Sequence, residues 1–160
     1  MNKLISLMAA ALLFAVPSIA SANEFSGFRI GVTAGLDDVT VAPDRTDVTY
    51  GAEVGYDVNI NDTPVYLGVE ATLDNVFDRR DVGASARLGV QVASDTLLYG
   101  KVGYANYKDV FSRELDGLRV GGGAELHLSE NVYGKVEYRY TDFQAGVGKH
   151  GGLIGLGYRF

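Results

Sequence analysis

The sequence predicts an all-β fold, an eight-stranded antiparallel up-and-down transmembrane β-barrel preceded by a cleavable signal peptide. Three observations carry that prediction. Apolar and polar residues alternate with period two in eight successive segments, and one face of every segment is free of charge. The connections between those segments alternate short and long. The chain ends inside the last segment, on the aromatic Phe160, where a soluble domain would gain little because its last residues usually fray into water.

At 160 residues, with 21 Gly, 10 Tyr, 3 Pro and no Cys, the chain suits one domain and no disulfide scaffold. Without cysteine, thiolate metal sites and cysteine nucleophiles are excluded. A net charge of −6 argues against nucleic acid, which favours a basic patch. At the amino terminus Lys3 is a basic lead, Leu4–Val16 an apolar core, Pro17 a break, and Ala20-Ser21-Ala22 a small-residue cleavage site. The apolar core falls short of the roughly 20 residues of a membrane helix. Residues 1–22 therefore read as an export signal cut after Ala22, with Ala20 and Ala22 flanking the cut, and residues 23–160 as the barrel.

The strands follow in order. Phe28–Leu36 offers Phe28, Ile30, Val32, Ala34 and Leu36 on one face, and Val48–Ile60 offers Val48, Tyr50, Ala52, Val54, Tyr56, Val58 and Ile60. Val65–Leu73 and Val82–Val92 repeat the pattern; Leu98–Tyr104 does so less cleanly, with Gly100 interposed. Leu118–Leu128, Val132–Tyr140 and Gly151–Phe160 complete the set, the last with Ile154, Leu156, Tyr158 and Phe160 in line.

The opposite face carries Arg29, Glu53, Asp57, Glu70, Arg87, Lys101, Arg119, Glu125, Glu137, Lys135, Arg139, His127 and Arg159 among many glycines. Alternation alone fits two barrels. A lipocalin-like secreted carrier would hold the apolar face inside and leave the charges in water. Small residues among the charges suit a crowded lumen instead, and the apolar face carries its aromatics near strand ends, as membrane girdles do. Phe28, Tyr56, Tyr158 and Phe160 fall toward one rim, and Tyr50, Tyr104, Tyr138 and Tyr140 toward the other.

The connections Asn61–Pro64, Ala93–Thr96 and Ser129–Asn131 read as tight turns. Asp37–Asp47, Asp74–Asp81, Lys108–Gly117 and Asp142–His150 read as longer loops, holding 11 acidic and 6 basic residues. A barrel with periplasmic turns and extracellular loops follows from that alternation. A weak repeat of one hairpin (Val65-Tyr66-Leu67-Gly68, Leu98-Tyr99-Gly100-Lys101, Val132-Tyr133-Gly134-Lys135) would ring one base with inward Tyr66, Tyr99 and Tyr133.

The export signal, the alternation and the Tyr158-Arg159-Phe160 ending resemble those of small eight-stranded outer-membrane barrels, the opacity-type family and the transmembrane domain of outer-membrane protein A. The resemblance covers the whole mature chain. It implies an address in the bacterial outer membrane, contact with outer-membrane lipid and lipopolysaccharide, and Phe160 and Tyr158 as a signal to the outer-membrane assembly machinery. It also implies a monomer without cofactor. The chain stops at the barrel, so the peptidoglycan tether of longer members is not expected. Fold does not fix function here, since such barrels serve as adhesins, structural proteins and lipid enzymes.

A non-catalytic structural or surface-interaction role, with a host or cell-surface ligand at the four loops, is the leading expectation. A narrow porin-like channel is the alternative. A lipid A-modifying enzyme is the remote one: His127-Leu128-Ser129 resembles the His-x-Ser pair of lipid A deacylases, with Glu137 as an imagined third member. His127 and Ser129 stand at the periplasmic end, whereas lipid A lies in the outer leaflet. Asp37, Asp38, Asp44 and Asp47 could group around Ca²⁺, but their spacing is no EF-hand and an acidic surface loop is the commoner reading. Gly121-Gly122-Gly123 lacks the lysine and helix of a phosphate loop and reads as relief of curvature or a bulge. Within the lumen, Glu53, Glu70, Arg87, Lys101, Glu125, Glu137 and Arg139 are expected to pair as an ionic plug, because unpaired charge is costly in so confined a space.

Overall fold

The computed structural model describes residues 25–39, 45–76, 79–108, 114–144 and 147–160. The export signal, with Ala20 and Ala22, lies outside the described residues. Eight strands follow one another: β1 (Gly27–Val39), β2 (Arg45–Asn59), β3 (Val65–Val76), β4 (Arg79–Ala93), β5 (Thr96–Lys108), β6 (Glu114–His127), β7 (Val132–Phe143) and β8 (Val147–Arg159). Each pairs antiparallel with the next, and β8 pairs with β1 to close the barrel. Closure leaves no edge strand, so the backbone donors and acceptors of the ladder are satisfied within the wall.

The wall is inverted relative to a soluble core. Val102, Leu156, Val32 and Ile154 are half or more exposed on the outside, while Arg29, Arg119 and Glu125 are fully buried inside. Tyr50, Tyr104, Tyr138 and Tyr140 lie outward near the rim that carries the β1–β2, β3–β4, β5–β6 and β7–β8 connections (the loop rim). Tyr158 and Phe160 lie outward near the rim that carries both ends of the barrel (the terminal rim).

Two expectations are corrected. The strands run further toward the loop rim than the apolar alternation alone indicates: β1 continues to Val39, β3 to Val76, β5 to Lys108, and β8 begins at Val147. Near that rim the outward positions turn polar, as at Asp38, Asn106 and Asp142, so the apolar signal ends before the backbone ladder does. The connections therefore do not alternate in length. Residues 40–44, 77–78, 109–113 and 144–146 separate the strands at the loop rim, against 60–64, 94–95 and 128–131 at the terminal rim. Much of the expected loop charge belongs to the wall, and Asp37, read above as part of an acidic surface loop, is fully buried in the lumen.

Local chemistry explains the terminal rim. Asn61 and Asp62 hold positive φ (52° and 57°), and the Thr63 amide donates to the Ile60 carbonyl at 3.0 Å. Both residue types tolerate this left-handed geometry, which matches hairpin twist. The register shift falls between Gln91 and Ala93 on β4. Gly121–Gly123 pairs regularly on both sides and forms no bulge. Gly27 has φ +113°, and a Cβ there would collide with the Phe160 carbonyl. That close approach lets the Phe160 amide donate to the Phe28 carbonyl at 2.8 Å, joining the two ends of the barrel.

Candidate functional site: a charge lattice in the lumen

Inward positions on all eight strands converge on the barrel axis, where bulky neighbours are excluded by glycine. Nearer the terminal rim, five basic and five acidic side chains interlock. Arg29 reaches three carboxylates, donating from Nε to Asp57 at 2.9 Å, from Nη2 to Glu70 at 2.8 Å and from Nη1 to Glu53 at 3.4 Å. Lys101 Nζ stands 2.6 Å from both Glu70 and Glu137. Lys135 bridges Glu53 and Glu137. Arg87 donates to Glu125 at 2.7 Å, its guanidinium 3.9 Å from the Tyr99 ring centre. Arg159 donates to Glu125 at 2.5 Å and to Asp57 at 3.1 Å. The hydroxyls of Tyr99 and Tyr133 donate to Glu137 and Glu53.

A second lattice, nearer the loop rim, has three bases and three acids. Arg119 Nη2 donates to both oxygens of Asp81 at 2.7 Å, and its Nε donates to Thr141 at 2.9 Å. Arg139 donates to Asp74 at 2.7 Å and lies 3.4 Å from Asp37. Lys149 Nζ lies 2.8 Å from Asp37 and 3.1 Å from Asp81. Each lattice is neutral on formal charges. All sixteen residues are buried, so each charge gains the partner that burial demands.

Of the seven lumen residues expected to pair, the first lattice contains Glu53, Glu70, Arg87, Lys101, Glu125 and Glu137. Arg139 stands apart from them, in the second. The inward set read from alternation was lopsided, seven bases to five acids. The balance comes from Asp37, Asp74, Asp81 and Lys149, which sequence reasoning had put in loops. Their signal was available: each continues the inward parity by two residues, from Gly35, Thr72, Gly83 and Gly151.

Phe25 was also missed, because it precedes the first alternating residue. It is fully buried beneath the first lattice, with its ring 5.8 Å from Tyr66 and 4.4 Å from His127. The Arg159 guanidinium donates to its carbonyl at 2.7 Å. Tyr66, Tyr99 and Tyr133 are all buried and inward. His127 thus stacks on Phe25, Leu128 and Ser129 are exposed at the rim, and Glu137 is held by two lysines and a tyrosine. Phe160 is exposed outward, with its ring 4.8 Å from Tyr158 and 5.7 Å from Phe28.

An eight-stranded closed barrel with apolar residues outside and interlocked buried charges inside defines the class of outer-membrane β-barrel proteins. The chain belongs to the outer membrane protein beta-barrel domain family, whose pattern matches residues 6–160. A 22 kDa outer membrane protein of Rhizobium leguminosarum bv. viciae is 28% identical over 142 residues, covering 78% of this chain and 67% of that protein. The crystal structure of Neisserial surface protein A superposes with a TM-score of 0.66 at 18% identity, covering 84% of this chain and 98% of the other. Ail, the attachment invasion locus protein of Yersinia pestis, gives 0.61 at 18% identity, covering 85% and 100%. The outer membrane enzyme PagL gives 0.57 at 12% identity, covering 81% and 99%. The protein is thus an outer-membrane β-barrel protein, and the shared fold leaves its activity to its own residues.

Proposed function

We propose that the chain, exported by residues 1–22 and cut between Ala22 and Asn23, spans the outer membrane as a closed, non-catalytic, monomeric barrel with a surface-interaction role. The terminal rim faces the periplasm, and the four connections at the loop rim face the exterior. The observation that carries the reading is the neutral pair of lattices across the lumen. Steady ion flow would need water-filled space or mobile charge, and here carboxylate and cation hold each other at hydrogen-bond distance. Planar-bilayer recording tests it. The wild type is expected to show no steady conductance, and a variant with Arg87→Ser and Lys101→Ser to open. Stable wild-type conductance that those changes leave untouched would establish the channel reading instead.

The same reading gives no base or nucleophile to a lipid enzyme. His127, Ser129 and Glu137 serve packing, turn and lattice respectively. Support for surface interaction comes from relatives: Ail is by name an attachment protein and was crystallised with the heparin analogue sucrose octasulfate. A cell-surface ligand at the loop rim is the corresponding expectation here.

Phe160, with Tyr158, is read as the signal to the assembly machinery. Deleting Phe160 removes the exposed terminal ring and the amide that bonds Phe28. Export should persist while assembly fails, seen as loss of the heat-dependent shift in gel mobility. Normal insertion of the deletion variant would refute the signal.

A further inference from the structure

The two lattices cancel internally, so the charge met at the loop rim is set by the residues left over. Among the described residues Lys108 pairs with Glu114 at 3.7 Å, which leaves Asp38, Asp47, Asp116 and Asp142 against Arg80. At and between the strand ends there, Asp44, Asp78 and Asp109 are offset in sequence by Arg45, Arg79 and Arg113. The rim is therefore acidic.

One of these carboxylates differs from the rest. Asp38, Asp116 and Asp142 point outward, whereas Asp47 continues the inward parity of Thr49 and Glu53 and stands directly opposite Asp37. Asp37 is held by Lys149 and Arg139. Asp47 is only 8% exposed and takes part in no ion pair among the described residues. Like charges opposite each other on paired strands repel, and a buried charge without a partner is costly. The Thr49 hydroxyl, two residues along the same inward face, is also fully buried and has no hydrogen-bond partner. On the far side of the closed barrel, β5, β6 and β7 turn Tyr107, Leu115 and Phe143 inward, the Tyr107 and Phe143 rings 5.8 Å apart. Lys149 already places its ammonium 5.8 Å from the Tyr107 ring. The outer end of the lumen thus sets an uncompensated carboxylate and a hydroxyl against an aromatic wall.

We propose that this end of the lumen receives a basic peptide segment of a protein partner, with one lysine ammonium at Asp47 and Thr49. The proposal deepens the surface-interaction reading and rests on it. An ammonium supplies the charge that Asp47 lacks and has donors for both oxygens, while its methylene stem suits the apolar wall. A metal ion fits less well, because among the described residues no three acidic or histidine side chains gather to hold one. A sulfated ligand of the kind crystallised with Ail would be repelled by the same rim.

The test is fluorescence anisotropy of labelled hexalysine with the folded mature protein in an uncharged detergent. The wild type is expected to bind, and less tightly as salt is raised. Asp47→Asn should weaken binding by about tenfold or more, with Thr49→Val acting in the same direction. Asp142→Asn removes the same charge from the outer face and should weaken binding by about threefold or less. Because Asp47 has no cation of its own, Asp47→Asn should keep the heat-dependent gel mobility and urea midpoint of the wild type. An Asp47→Asn protein that fails to fold would make this carboxylate a structural member of the barrel and overturn the proposal. Equal weakening by Asp47→Asn and Asp142→Asn, displacement of the peptide by Ca²⁺, or spermine binding as tightly as hexalysine would overturn it too. Binding of sucrose octasulfate in place of hexalysine would overturn the basic partner while leaving the surface-interaction reading in place, and binding of neither probe would count against both.

Discussion

Arg29→Met is expected to destabilise the folded barrel by about 3–5 kcal/mol, the cost of stripping one partner from a buried ionic cluster. Arg29 is fully buried and serves Asp57, Glu70 and Glu53 together. Without it, Asp57 keeps Arg159, Glu70 keeps Lys101 and Glu53 keeps Lys135, but the lattice carries one uncompensated negative charge. Methionine roughly preserves volume, so the effect is electrostatic rather than a cavity. Adding Glu70→Gln restores neutrality and should recover part of the loss, a coupling that a double-mutant cycle measures directly. By contrast Lys108→Met, which breaks an exposed pair with Glu114 at 3.7 Å, should change stability by about 1 kcal/mol or less. Urea unfolding in lipid vesicles compares the wild type, Arg29→Met, Glu70→Gln, the double variant and Lys108→Met.

Val102→Lys is expected to cost about 2–4 kcal/mol by placing an ammonium near the middle of the apolar band. Val102 lies outward and half exposed on β5, between Ala86 and Val120 of the neighbouring strands. The penalty falls with distance from the membrane centre. Thr46→Lys, outward at the loop rim and beside Asp38, should cost about 1 kcal/mol or less. The adjacent inward position is no control: a Cβ at Gly103 would strike the Ala84 carbonyl and Ser85. Equal losses for Val102→Lys and Thr46→Lys would mean that the outer wall meets no apolar band.

The strand count and the two faces of each strand were legible because period-two alternation records which residues share a side, and the outward face followed from the small residues among the charges and the aromatics near the strand ends. Loop-rim boundaries were not. There the outward residues become polar (Asp38, Asn106, Asp142) while hydrogen bonding continues, so the sequence loses contrast before the strand ends. The same loss hid Asp37, Asp74, Asp81 and Lys149, and with them the second lattice. Alternation could nominate inward charges but not their partners. Which carboxylate meets which cation depends on strand tilt and stagger around the barrel, and this is why Arg139 pairs with Asp74 and Asp37 rather than with the glutamates expected beside it. Phe25 left no periodic trace, since its position follows from the Arg159 contact to its carbonyl and from stacking on His127.

The central claim is that apolar side chains face lipid and charges face inward. Methyl NMR of the protein in lipid nanodiscs containing a spin-labelled phospholipid measures it without any substitution. Methyl signals of Val32, Val54, Val102, Val136 and Leu156 should broaden strongly, while those of the buried, inward Leu97 and Leu153 remain sharp. Broadening of Leu97 and Leu153 with the outward valines spared, or broadening of those valines by a water-soluble relaxation agent instead of the labelled lipid, would contradict the account.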